Sequence, residues 1–468
     1  MNPWKGLVFV VAIYAGLGLA ADSGGAFSFP DTPQGRRAAA YFAAFNAPSE
    51  SAMAEFLSGN FSAEALKRAS LEERLARFRG FKREARELIP QKVLRDAGET
   101  AGYLVRSGRG ELLEFTFQFE KGGDGKLASI MGAPVDPETA ADLAGPPLSR
   151  EEALARVRAV LDERSRADRF SGVVLLAQGD EVVLHEARGL ASAEYGTANR
   201  LDTRFNLGSI NKLFTRVAVG QLVEQGRISL EDPIGKFLPD YPNRKAASRV
   251  TVRQLLDMTS GIGDFFGKKF AQTPKDRLRG LADYLPLFAS DRLLFEPGSQ
   301  RRYSNGGYIV LGLIVEKASG QSYFDYVRDH VYGPAGMTAT GHLDADVPEA
   351  NVASGYTRNW DDGDHEKEAR RSNIYTRPAR GSSAGGGYST VMDLFRFARA
   401  LRAGKLLGPL GREWFSGPQA YAGGAPGINA ELDMDPVPGW TVVVAGNYDP
   451  PAASSLAQRI SGLLRSMR

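Results

Sequence analysis

Ser209 and Lys212 stand three residues apart in Phe205-Asn206-Leu207-Gly208-Ser209-Ile210-Asn211-Lys212-Leu213-Phe214-Thr215. On a helix that spacing puts both side chains on one face, so the amine can sit beside the hydroxyl. A serine hydroxyl becomes a nucleophile when a neighbouring base takes its proton. A lysine, with an ordinary pKa of about 10.4, serves as that base near neutrality only if its pKa is pushed down. A first-turn position for Ser209 adds the positive potential of a helix N-terminus, which disfavours protonated lysine and stabilises a developing oxyanion. Further along, Tyr303-Ser304-Asn305 offers a phenol to pass a proton to a leaving group. Its amide can hold a substrate carbonyl and bond the lysine. Either motif alone arises readily by chance, so the case rests on their occurring together.

Other chemistries are excluded by order and composition. Gly381-Ser382-Ser383-Ala384-Gly385 matches the Gly-x-Ser-x-Gly turn of α/β-hydrolases, but that fold places its histidine after the serine. The last histidine is His365, ahead of Ser383, so the segment reads as a glycine-rich loop near a cleft floor. His185 precedes Ser209, as a chymotrypsin-like order requires, but reads as a strand residue. Asp361-Asp362-Gly363-Asp364-His365-Glu366 lacks the spacing of a metal site and reads as a solvated loop. The chain has no cysteine, which removes disulfides, thiolate zinc sites and cysteine nucleophiles. No metal or organic cofactor is expected, because acyl transfer needs only side chains, backbone amides and water. A net charge of +3 gives no reason to expect a nucleic-acid partner.

The elements that must position these residues follow from patterning. The chain has 468 residues, 43% apolar and 24% charged, the balance of a folded globular protein of two or three domains. Residues 1–21 read as a signal peptide, with Lys5, an apolar run from Gly6 to Ala21 and the small-x-small site Gly18-Leu19-Ala20. The run is short for a membrane span. Export to a bacterial periplasm or exterior is therefore expected, with no stable membrane insertion after cleavage. Residues 32–133 read as a small α+β domain. Helices are expected over Thr32–Asn46, Ser51–Leu57 and Ala63–Arg86. Leu113, Phe115, Phe117 and Phe119 alternate as a half-buried strand, and Gly122-Gly123-Asp124-Gly125 turns the chain into a second strand at Leu127–Met131. In order and size this domain resembles the cone-shaped, cystatin-like domains related to nuclear transport factor 2. Residues 134–148, with Pro134, Pro137, Pro146 and Pro147, read as a linker. Ser149-Arg150-Glu151-Glu152 fits a capping box that opens a second domain, 149–468. A hairpin joins Gly172–Ala177 to Glu181–Glu186. Helices are expected over Lys212–Gln225, Val252–Met258, Ile309–Ala318 and Thr390–Ala403, a strand over Trp440–Ala445 and a last helix over Pro451–Leu464. Strands at both ends with helices between them imply an antiparallel sheet flanked by helices, with a helical insertion as one cleft wall.

From Phe170 to about Leu464 the sequence resembles the serine β-lactamase-related family, which includes class C β-lactamases, D-alanyl-D-alanine peptidases and family VIII esterases. The resemblance is carried, in order, by Phe170 to Val174, Ser209 to Thr215, Val252 to Leu256 with Thr259-Ser260-Gly261-Ile262, and Pro297-Gly298 through Tyr303-Ser304-Asn305 to Gly312. Gly333 to Met337, Gly385 to Thr390 and Val443 to Asn447 complete it. It implies a β-lactamase/transpeptidase-like fold of the mixed α/β class and an acyl-enzyme on Ser209, with the base role shared by Lys212 and Tyr303. The third motif departs. The family carries Lys or His, a small residue and Gly before Pro-Gly, whereas this chain has Tyr421-Ala422-Gly423-Gly424-Ala425-Pro426-Gly427. Gly424 can still offer its backbone N–H to an oxyanion hole beside that of Ser209, with Tyr421 and Gly423 on the substrate side. The missing cation and hydroxyl would hold a carboxylate, which β-lactams and D-alanyl-D-alanine both carry. The expectation is therefore an esterase or amidase acting on a neutral, small-molecule or peptide-like acyl substrate. A β-lactamase, a D-alanyl-D-alanine peptidase, or a catalytically weak module binding peptidoglycan or a protein are the alternatives. Arg412 or another basic residue is left open as a replacement for the charge, and Met258 stands where many relatives have histidine.

Overall fold

A computed structural model describes residues 27–120, 125–135, 137–360, 365, 367–415 and 419–467. The expected signal peptide, most of the 122–125 turn and most of the 361–366 acidic run lie outside the described residues. The chain divides into two compact units between residues 136 and 137. Among the described residues no helix is long and apolar enough to cross a membrane.

The N-terminal unit is four helices, Pro33–Asn46, Glu50–Asn60, Ala63–Arg68 and Leu71–Ala85, followed by an antiparallel meander. Its strands Leu88–Ala97, Thr100–Ser107, Leu112–Phe119 and Leu127–Pro134 pair in chain order. The single helix expected over 63–86 is two. Ser70 accepts from the Glu73 amide while the Glu73 carboxylate accepts from the Ser70 amide, and this capping box restarts the helix. The alternation at 113–119 is borne out, with Leu113, Phe115, Phe117 and Phe119 all buried. Phe115 and Phe117 meet Tyr41 and Phe42 of the first helix edge-on or tilted. The first two strands escaped the sequence reading. Two register shifts, at Pro90/Lys92 and Val93/Arg95, break the two-residue period of the first.

In the C-terminal unit, Pro137–Ala144 is a helix, so 134–148 is not a linker throughout. Thr139, Ala140 and Leu143 are buried, and Asp142 pairs with Arg156 at 2.5 Å and with Arg459 of the last helix. The central sheet is antiparallel, in the order Gln419–Ala425, Ile428–Met434, Trp440–Gly446, Gly172–Gln178, Glu181–Arg188. Its middle strands are apolar on both faces because both faces are covered. Val173, Leu175, Val443 and Ala445 join one core, and Val174, Leu176, Val442 and Val444 join another. The second core is closed by Arg150–Arg166 and Ala452–Arg465, the first by Asn211–Glu224, Asn305–Ser319 and Val391–Arg402. Asn211–Glu224 is buried almost all round, as a helix inside a large core must be. Gln419–Ala425 is one edge of the sheet, and its free side packs against the turn that carries Ser209.

Candidate active site

Ser209 sits in a 3-10 turn, Gly208–Ile210, that runs straight into the helix Asn211–Glu224. Gly208 has φ +50, which favours glycine, and a Cβ there would lie 2.8 Å from the Gly424 amide nitrogen. A Cβ on Gly423 would lie 1.9 Å from the Leu207 carbonyl oxygen and 2.9 Å from the Ser209 amide nitrogen. Glycines at 208 and 423 thus let the edge strand approach the serine turn backbone to backbone. That contact brings the Ser209 and Gly424 amides into one small region, as an oxyanion hole requires.

Four of the residues selected from sequence form one hydrogen-bonded cluster. The Tyr303 hydroxyl donates to Ser209 Oγ at 2.6 Å. Lys212 Nζ lies 3.2 Å from Ser209 Oγ, 2.7 Å from Asn305 Oδ1 and 2.5 Å from the Ala384 carbonyl oxygen. Asn305 opens the helix Asn305–Ser319, whose N-cap Ser304 accepts from the Gly307 amide, so the motif is aimed by a helix start. Lys212 is 7% exposed, and burial pushes its amine down to about 7, with the Asp264 carboxylate pulling the other way. Desolvation is thus the leading cause of a depression that the sequence reading laid to the helix N-terminus. The Tyr303 phenol moves upward, chiefly by burial, then by Asp264, while its bond to Ser209 opposes. The residue remains 45% exposed although its hydroxyl turns inward to Ser209.

Tyr421 does not join the cluster. Its hydroxyl bonds Gln419 Oε1 on the same strand, and burial raises the phenol against the opposing charge of Arg216. The Arg216 guanidinium lies 5.4 Å from the ring centroids of Trp414 and Phe415. The Arg412 side chain lies outside the described parts of the molecule. Met258 has φ +59, accepts from the Arg302 amide through its carbonyl and packs its half-buried side chain against the core. Ser383 is fully buried and donates to the Tyr308 carbonyl at 2.8 Å, which disposes of it as a nucleophile. His185 is half-buried on a strand, its imidazole lowered by burial. No group of three metal-ligating side chains occurs among the described residues.

Two members of the site were not selected from sequence. Asp264 bonds the Asn305 amide at 2.7 Å, and the Ala384 carbonyl bonds Lys212. Asp264 directly follows Thr259-Ser260-Gly261-Ile262-Gly263, and this adjacency was the one signal available. A backbone carbonyl carries no signal of residue type.

Residues 157–457 match the family model described as Beta-lactamase. The chain belongs to the β-lactamase family. Among curated relatives of this family member, penicillin-binding protein 4* of Bacillus subtilis (strain 168) is 32% identical over 241 residues, covering 50% of this chain and 52% of that protein. Esterase EstB of Burkholderia gladioli is 31% identical over 283 residues, covering 53% and 70%. The chain spans about half the length of the Bacillus relative. Among solved structures, a penicillin-binding protein from Bacillus halodurans superposes with TM-score 0.57 at 30% identity, covering 62% of this chain and 95% of that one. The D-amino acid amidase of Ochrobactrum anthropi SV3 shares the fold, with TM-score 0.57 at 22% identity, covering 67% and 98%. The serine β-lactamase-type fold expected for the C-terminal region is therefore the fold of this family member.

Proposed function

We propose that the chain is an exported serine esterase or amidase that transfers the acyl group of a neutral substrate through an acyl-enzyme on Ser209. The observation that supports this most is the set of partners around Lys212 Nζ: two carbonyl oxygens at 2.7 and 2.5 Å and the Ser209 hydroxyl at 3.2 Å. A neutral amine held there donates its two hydrogens to Asn305 Oδ1 and Ala384 O, which turns its lone pair to Ser209. Lys212 takes the hydroxyl proton as Ser209 Oγ bonds to the acyl carbon. The carbonyl electron pair moves onto oxygen, where the Ser209 and Gly424 amides donate to it. Tyr303, kept protonated by its raised pKa, gives its proton to the leaving oxygen or nitrogen as that bond breaks, and Lys212 restores it. Water then attacks the ester carbon by the reverse proton route, freeing the acid and Ser209.

Preference for a neutral acyl group rests on Tyr421 standing where the family has a cation, and Ala422 where it has a hydroxyl, that would hold a carboxylate. Kinship to an esterase supports it. Kinship of similar strength to a penicillin-binding protein supports the competing reading, a D-alanyl-D-alanine peptidase or β-lactamase. Export rests on the pattern at residues 1–21. The test is hydrolysis of a short p-nitrophenyl ester by residues 22–468, beside Ser209→Ala and with a chromogenic cephalosporin in parallel. Ester turnover lost in the variant and exceeding cephalosporin turnover is the expected result. Faster cephalosporin turnover would reverse the substrate preference, and no turnover of either would favour a binding protein.

A further inference from the structure

Asp264 lies on the loop between Val252–Leu256 and Lys268–Gln272, and its carboxylate is tied on both oxygens. Oδ1 accepts from the Phe266 amide at 3.0 Å. Oδ2 accepts from Asn305 Nδ2 at 2.7 Å and from the Asn305 backbone amide at 3.4 Å. Asn305 then presents Oδ1 to Lys212 Nζ at 2.7 Å. A side-chain amide has one accepting and one donating end. Turned over, it would press its oxygen against a carboxylate and its NH2 against the lysine's hydrogens, so one orientation satisfies both neighbours and the other neither.

We propose that Asp264 is a positioning residue for acyl transfer, holding the Asn305 amide so that its oxygen faces Lys212 and the lysine lone pair is left for Ser209. This rests on the serine-hydrolase reading above. Without Asp264 the amide is free to turn, and its NH2 then competes with the Ser209 hydroxyl for that lone pair. The carboxylate has a second effect, reaching Lys212 as charge and opposing the loss of the lysine proton that burial drives. Among the described residues, the Tyr303 and Tyr308 rings lie 4.8 and 5.5 Å from Lys212 Nζ, and Arg216 follows four residues on along the same helix. None of these carries a negative charge while both phenols stay protonated, as burial keeps them. Asp264 is thus the anion in this set that raises the lysine.

The test uses the full protein labelled with [13Cε]lysine, the Lys212 signal being assigned by its loss in Lys212→Arg. Titration by NMR is compared for wild type, Asp264→Asn and Asp264→Ala, with kcat and KM for p-nitrophenyl acetate measured across pH. Both variants should titrate Lys212 about one unit lower, because an opposite charge has gone. The acid limb of kcat/KM should move with it. Asparagine at 264 keeps an oxygen for Asn305 Nδ2 and alanine does not, so kcat should fall about tenfold or more in Asp264→Ala and much less in Asp264→Asn. A kcat undiminished in Asp264→Ala, or lowered equally in Asp264→Asn, would overturn the proposal. Absence of Ser209-dependent turnover in wild type would overturn the hydrolase reading instead, while the NMR titration still answers for Asp264.

Discussion

Replacing Gly423 with alanine acts on the contact that builds the site. The added Cβ would fall 1.9 Å from the Leu207 oxygen and 2.9 Å from the Ser209 nitrogen, both backbone atoms that no side-chain rotation can clear. Carbon and oxygen rest at about 3.4 Å or more, so the edge strand and the serine turn must part by about 1.5 Å. That distance removes Gly424 from the oxyanion. Loss of one such donor costs about 10²–10³ in kcat, and a misplacement of about 1 Å costs about 10². The strand stays paired to Ile428–Met434 on its other side, so the fold should hold. The assay is kcat and KM on a p-nitrophenyl ester, with circular dichroism as the folding control and Ala420→Ser, exposed on the same strand, as a neighbouring change. A fall in kcat of about 100-fold for Gly423→Ala, with Ala420→Ser within about twofold of wild type, is expected. A folded Gly423→Ala variant retaining more than about a third of wild-type kcat/KM would refute the argument that backbone contact at 423 shapes the oxyanion hole.

The rate should rise with pH through an acid limb near 7, because the working form of Lys212 is the neutral amine; a limb below 5 would remove Lys212 from the base role. Tyr421→His should raise turnover of carboxylate-bearing substrates relative to neutral esters, and an unchanged ratio would count against the reading of the third motif. Burial lifts the Glu431 carboxyl to about 7, helped by Asp433, and lifts Asp433 to about 6 against its bond to Ser461. Folded-state values above the unfolded ones mean that both groups support stability at low pH and lose that support as pH rises through 6 to 7. The Tm should therefore fall from pH 5 to 8, and Glu431→Gln should flatten the fall; an equal slope in that variant would place the pH dependence elsewhere.

Much of the site was legible because its residues have the right types at helical spacing. Ser209 stands in the 3-10 turn that runs into the helix of Lys212, and Tyr303 and Asn305 flank a capped helix start, so local order already implied their directions. Gly172–Gln178, Glu181–Arg188 and Trp440–Gly446 were legible as apolar runs, but Gln419–Ala425 and Ile428–Met434 were not named as strands; in the first of these, Gly423, Gly424 and exposed Ala420 and Ala422 have no alternating apolar pattern. The break at Ser70 was hidden because Glu and Arg suit a helix on both sides of it. Asp264 and the Ala384 carbonyl were hidden for a different reason: they act through tertiary contacts across long chain separations, which spacing does not encode.

The most direct test of acyl transfer through Ser209 is mass spectrometry of protein quenched in acid during turnover of a p-nitrophenyl ester. An added acyl mass on the peptide containing Ser209, absent from Ser209→Ala together with turnover, is the expected result. Undiminished turnover in a folded Ser209→Ala variant, with no adduct on the wild-type serine, would contradict it.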